Sequence, residues 1–137
     1  MKHRLRQLPR GFTLIEIMIV IAIIAVCAAI AVPNFFRARK RAQATRMVDD
    51  LRLIDGALDL YAAENSKASG NPAAWADLQP YLKKNIVLYN SGGIDLLGNM
   101  INGDLTFSVD FVPKVNSKSF AALSDVAPLE FWSPFDP

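Results

Sequence analysis

The chain has 137 residues, enough for one modest domain. Hydrophobic residues make up 52% of it, yet the excess lies in one segment near the N-terminus and the remainder has an ordinary soluble composition. A formal charge of +2, one histidine and one cysteine argue against a basic nucleic-acid-binding surface, a disulfide framework and histidine-dependent catalysis.

The first ten residues carry Lys2, Arg4, Arg6 and Arg10. From Phe12 to Val32 run 21 residues in which only Thr13 and Glu16 are polar or charged. As a helix this segment is about 31 Å long, the thickness of a bilayer's hydrocarbon core. A buried core helix is disfavoured, because so small a chain cannot cover a helix that is apolar on every face. A cleaved secretory signal would have a shorter apolar stretch ending in a small-residue cleavage site. The segment "CAAIAVP" offers alanines near its end, but the run is long and passes directly into more helix-like sequence. The span is therefore expected to be kept. Its orientation is not set by charge: Arg37, Arg39, Lys40 and Arg41 follow it and balance the cations before it.

Beyond the span, Met47, Leu51, Ile54, Leu58 and Tyr61 are spaced 4, 3, 4 and 3, on one face of a helix, and Ala44, Val48 and Ala57 widen that stripe. Arg46 and Asp50 stand one turn apart as a favourable pair. The polar "ENSKASGNP", with Gly70 and Pro72, ends the pattern. A single helix over about residues 12–65 would be roughly 80 Å long. Pro33 is expected to kink or locally unwind it, and Gly56 is a second weak point.

The amphipathic half needs a partner surface from residues 66–137. "PAAWADLQPYLKK" predicts a short helix capped by Asp77, with Pro80 in its first turn and Trp75, Leu78 and Leu82 turned to the long helix. "NIVLYN" reads as a short strand and residues 105–113, "LTFSVDFVP", as a better one, with turns at "SGG" 91–93 and "NGD" 102–104. The fold class is α+β: a long N-terminal helix packed on a small antiparallel sheet. In the tail, Phe131, Trp132 and Phe135 are expected to seal the sheet against the helix, with an exposed contact patch as the sharper alternative. Pro128, Pro134 and Pro137 argue against regular structure there.

The stretch "RGFTLIEIMIVIAIIAVCAAIAVPNF" resembles the N-terminus of type IV prepilins and type II secretion pseudopilins. A short basic leader precedes Gly11, Phe12 and "TLIE"; Glu16 is the fifth residue after the glycine, and a proline closes the span. The resemblance is specific over about residues 6–36 and looser to about residue 84. It implies that a prepilin peptidase cuts between Gly11 and Phe12 on the cytoplasmic side and methylates the new amine, giving N-methylphenylalanine at Phe12. Everything after Val32 would then lie outside the membrane. Gly11 lacks a side chain, so the backbone there can extend into a narrow protease site.

The pilin-like reading divides the chain into a cleaved leader (1–11), a transmembrane and polymerisation helix (12–33), the amphipathic half of the same helix (34–65) and a small globular body (66–137). It implies a structural subunit of a type IV pilus or a type II secretion pseudopilus. Its partners would be the peptidase, copies of itself or other pilins, and an inner-membrane assembly platform with its ATPase. The rival function is a membrane-anchored periplasmic binding module that never polymerises. The subunit would sit in the inner membrane with its C-terminus outside, and later in a periplasmic or extracellular filament. Loss of Lys2, Arg4, Arg6 and Arg10 leaves 11 Lys/Arg against 13 Asp/Glu, a mature formal charge of −2, so nucleic acid is not an expected partner. The basic run at 37–41 is read as contact with lipid headgroups.

Glu16 is the assembly residue in this reading. A carboxylate deep in a bilayer costs roughly 2.5–3.5 kcal/mol, less near the interface, and the amine created at Phe12 is one helical turn away. No catalytic residue, cofactor or metal is expected. His3, the only histidine, falls in the leader, and Cys27, the only cysteine, falls in the span. The missing disulfide departs from many type IV pilins and leans towards a pseudopilin. Asp95, Asn99, Asn102 and Asp104 could ligate calcium through oxygen, but their spacing matches no calcium loop and they read as turn residues.

Overall fold

Helix α1 covers Leu14–Asn65, 52 residues, in the computed structural model, which describes residues 11–137. The chain divides into two compact units, one ending at Phe36 and the other running from Arg37 to Pro137. The helical pattern continues unbroken through Pro33 and Gly56, so the local unwinding expected at Pro33 does not occur. Pro33 has no N–H to give, and the carbonyl four residues back loses only that one helical bond.

In the first unit every residue from Gly11 to Phe36 is exposed. In the second unit α1 buries Ala44, Met47, Val48, Leu51, Ile54, Ala57 and Leu58, and half-buries Tyr61. This is the stripe that the 4-3-4-3 spacing predicts. Arg46 and Asp50 do not form an ion pair; Arg52 takes Asp49 instead, at 3.1 Å.

The remainder of the second unit supplies the cover. Strand β1 (Pro72–Ala74) pairs antiparallel with β2 (Thr106–Ser108), with Ala73 opposite Phe107. Helix α2 (Trp75–Leu78) follows β1 directly, and a 3-10 turn at Gln79–Tyr81 holds Pro80. The helix begins three residues earlier than predicted. Asp77 does not precede it but sits in its first turn, where its Oδ2 accepts the Ala74 N–H at 2.9 Å. Trp75, Leu78 and Leu82 are buried in the same core as the α1 stripe.

Residues 85–90 are not a strand. Helix α3 spans Val87–Ser91, buries Leu88 and ends on Gly92 in the left-handed conformation (φ 68°). That glycine is the first of the pair read as a turn, and here it stops a helix. Residues 105–113 give only three residues of strand, because Leu105 (φ 61°) and Asp110 (φ 63°) both adopt left-handed backbone and break the extended run at each side. Helix α4 (Ser117–Leu123) is capped by Asn116, whose Oδ1 accepts the Lys118 N–H at 2.9 Å. Helix α5 (Leu129–Trp132) forms within the proline-rich tail, with Pro128 just before its first turn, where proline is tolerated.

The fold is thus a long helix on a small two-stranded antiparallel sheet, α+β. The sheet gives the core only Ala73 and Phe107. Most of the cover comes from short helices and loops, through Leu78, Leu88, Ile101, Val115, Leu123 and Trp132.

Candidate functional site

The N-terminal segment is built around a reciprocal cap. Thr13 precedes the first helical residue, Leu14, and Glu16 is the third residue of the helix. The Thr13 N–H and its hydroxyl both donate to Glu16 Oε2, each at 3.2 Å, and the Glu16 N–H donates to Thr13 Oγ1 at 3.3 Å. The Thr13 carbonyl accepts from the Ile17 N–H. Thr-x-x-Glu ahead of an apolar run is the sequence signature of such a box. Sequence reasoning singled out Glu16 and missed Thr13, although the four-residue pattern was there to be read.

The cap satisfies donors that a helix start otherwise leaves open, and it places a carboxylate at the positive end of the helix dipole. Glu16 is therefore not an unpartnered charge within the chain. Phe12 is 81% exposed just before the cap, and a side chain added at Gly11 would meet nothing within 4 Å among the described residues. Lys2, Arg4, Arg6 and Arg10 of the leader lie outside the described residues.

The residues considered for calcium hold backbone and side-chain donors. Asp95 Oδ1 accepts the N–H groups of Leu97 and Asn99, both at 2.9 Å, and Asp95 Oδ2 accepts the Ser119 hydroxyl. Asn99 Nδ2 donates to Ser119 Oγ at 2.8 Å. Asn102 Oδ1 accepts the Lys114 N–H, and Asp104 Oδ1 accepts the Thr106 N–H, both at 2.9 Å. Ser119 is fully buried, so this network ties α4 to the 95–99 turn. In the tail, Trp132 and Phe135 are buried and Phe131 is half-buried, with Trp132 Nε1 donating to the Ala127 carbonyl at 3.1 Å. The tail aromatics are core.

On α1, Lys40 Nζ meets both carboxylate oxygens of Asp125, at 3.0 and 3.1 Å. Both side chains are about half exposed, so the bond is worth little in water. Among the described residues Arg37, Arg39 and Arg41 form no ion pair.

Residues 7–32 match the family described as the prokaryotic N-terminal methylation motif. The chain is 46% identical over 61 residues to type II secretion system core protein G of Klebsiella pneumoniae, covering 44% of each chain. It is 45% identical over 56 residues to core protein G of Escherichia coli, covering 41% of this chain and 39% of that one. It is 44% identical over 69 residues to the type IV wide pilus major component of Thermus thermophilus, covering 50% of this chain and 53% of that one. The chain thus matches about half or less of the length of these relatives. No solved structure matches it. The chain carries a prepilin-type N-terminal methylation motif, and it is similar both to a core protein of type II secretion and to a type IV pilus component.

Proposed function

We propose that the chain is the precursor of a non-enzymatic filament subunit, of a type IV pilus or a type II secretion pseudopilus. The observation that carries this reading is the N-terminal segment: the methylation motif over residues 7–32 and an apolar helix exposed on every face as far as Phe36. Such a helix needs lipid or copies of itself around it. A prepilin peptidase cuts after Gly11 and methylates Phe12 in the inner membrane. An assembly platform and its ATPase then lift the subunit from the bilayer.

Glu16 serves the lifting step. In the single subunit its carboxylate closes the cap with Thr13. Cleavage leaves a cationic amine on Phe12, and the amine of an incoming subunit meets the Glu16 of the terminal one in a low-dielectric setting, where the attraction exceeds that in water.

The test separates the steps. Mass spectrometry of the protein from its native host should find a terminus at Phe12 carrying one extra methyl. Gly11→Val should leave uncut precursor in the membrane. Glu16→Ala should insert and be cut normally yet give few filaments. A chain that keeps Met1, stays in the membrane and is absent from filaments would overturn the reading in favour of a non-polymerising anchored module.

A further inference from the structure

Arg37 and Arg41 stand one turn apart on α1, and like charges at that spacing repel. They do not stand on a bare helix. The turn between α4 and α5 packs beside them, so that Arg37, Ala38 and Arg41 line one wall of a groove and Asp125 and Val126 line the other. The groove has a volume of about 360 Å³. That lies within the range of clefts that take small ligands, about 300–1,000 Å³. Arg39 falls between the two arginines in the sequence and does not line the groove. The groove is therefore made where helix and body meet, not by the basic run as a whole.

Its charges stand in two places. On one wall, two guanidinium groups offer paired donors that match the oxygens of a phosphodiester. Among the described residues neither of them forms an ion pair. On the other wall stands one carboxylate. Lys40 Nζ donates to both oxygens of Asp125, at 3.0 and 3.1 Å, yet a carboxylate has about four acceptor sites, so half of them stay open. The Asp125 side chain is 53% exposed. A bare anion in the groove would meet Asp125 as a like charge. A phosphodiester that carries its own ammonium would not.

Position along the chain names the source of such a group. The apolar run ends at Val32, and Arg37 follows five residues later, about 8 Å of helix. The headgroup layer outside a bilayer's hydrocarbon core is about 5–8 Å thick on each side. We propose that the groove is a site for one phospholipid of the ethanolamine class. Arg37 and Arg41 take its phosphodiester, and its primary ammonium donates to Asp125. A choline lipid carries the same charges but no N–H, so it satisfies only the arginine wall. The proposal rests on the filament-subunit reading in one respect, that the apolar half of α1 sits in a bilayer. It adds that the body is docked on that bilayer through a lipid, which extraction of the subunit has to release.

The experiment places the full chain in nanodiscs made of equal parts phosphatidylethanolamine and phosphatidylcholine, releases it into mild detergent and counts the bound lipids by native mass spectrometry. Lipids that merely surround the helix contribute equally. The ethanolamine lipid should be retained about fivefold over the choline lipid, the scale of an exposed charge pair. Arg37→Gln with Arg41→Gln should lose both lipids, and unchanged retention there overturns the proposal. Asp125→Asn should keep lipid but bring the two kinds to near parity. Lys40→Gln breaks the same ion pair and leaves the carboxylate, so it should keep the preference or widen it. A Lys40→Gln chain that loses the preference overturns the proposal, because Asp125 then acts only by holding the fold. Equal retention of the two lipids by the unsubstituted chain overturns it as well. Phosphatidylglycerol in place of the ethanolamine lipid tests the ammonium: tighter retention of the glycerol lipid overturns its role and leaves a plain anion site. A chain that does not enter nanodiscs at all defeats the membrane reading itself, a distinct result.

Discussion

Residues 14–36 and residues 44–58 are parts of one helix, and both are rich in apolar side chains. In the first stretch Ile19, Ile23 and Val26 are 55–64% exposed; in the second Met47, Leu51, Ile54 and Leu58 are at most 3% exposed. The difference is one of arrangement. Where apolar residues occupy one stripe, a hundred-residue body can cover them. Where they occupy every face, no single subunit of this size can, and the helix needs lipid or other helices. Burial in one region is settled within the chain, and in the other it is left to the surroundings.

Truncations in the two regions should therefore read out differently. Leu58→Ala should cost about 2–5 kcal/mol of subunit stability and Trp132→Ala about 3–5, by chemical denaturation in detergent. Ile23→Ala should leave that unfolding unchanged and appear only in filament yield. A neutral Leu58→Ala would mean that the stripe faces another subunit and would erase the contrast. A chain starting at Arg37 should fold and stay monomeric by light scattering, since the buried core lies wholly between Ala44 and Phe135.

Gly93 sharpens the comparison within the covered half. It is buried with φ 84°, and an added Cβ would come within 2.7 Å of Leu105 Cδ2 and 2.9 Å of Trp75 Cδ2. Gly93→Ala should destabilise by about 1–3 kcal/mol, from backbone strain and overpacking together. Gly56→Ala, on an open helix face with nothing within 4 Å, should stabilise slightly. Equal effects at the two sites would show that the close approach at Gly93 is relieved at no cost.

Helical periodicity made the stripe legible in full, because burial on a long helix repeats often enough to be counted. The length of the apolar segment was legible as well, because 21 residues with only two polar ones among them are a large signal. The body was harder. "NIVLYN" is helix α3 because its burial falls on Leu88 with Ile86 and Tyr89 beside it, a pattern too short to separate two periods. The nine-residue alternation from 105 to 113 did not reveal that Leu105 and Asp110 would turn left-handed. The Asp95–Ser119–Asn99 network joins residues about twenty apart, which spacing alone does not bring together.

At the other end, Thr13→Ala should remove one partner of the cap and loosen the first turn of α1 by about 1 kcal/mol, within the usual range for a lost N-cap. Faster hydrogen exchange at Glu16 and Ile17 in detergent is the measurement. The core of the second unit should be untouched, so its unfolding midpoint should not move. A shift there would mean that the two regions are energetically coupled, which their separate burial argues against.

The smallest effect concerns Asp50, the one charged group of α1 that lines a cavity with Asp95, Lys114 and Asn116. Burial raises its carboxyl above the usual range; Arg46 draws it down and Asp49 adds to the rise. Between the unfolded value of 3.8 and the raised folded value, the folded chain binds more protons than the unfolded chain. Stability from this group therefore falls as pH rises through that window. The penalty is complete above the folded pKa and absent below 3.8. Asp50→Asn removes the charge and keeps the shape. It should stabilise the chain at pH 7 by on the order of 0.5 kcal/mol, the scale of a partly exposed site. That gain should shrink as pH falls towards 3.8. Asp55, raised by burial and by Asp59, titrates in the same sense in both chains and cancels in the difference. Denaturant midpoints of the two chains at matched pH give the test, and a gain that grows as pH falls would reverse the sign and show Asp50 held as a favourable charge.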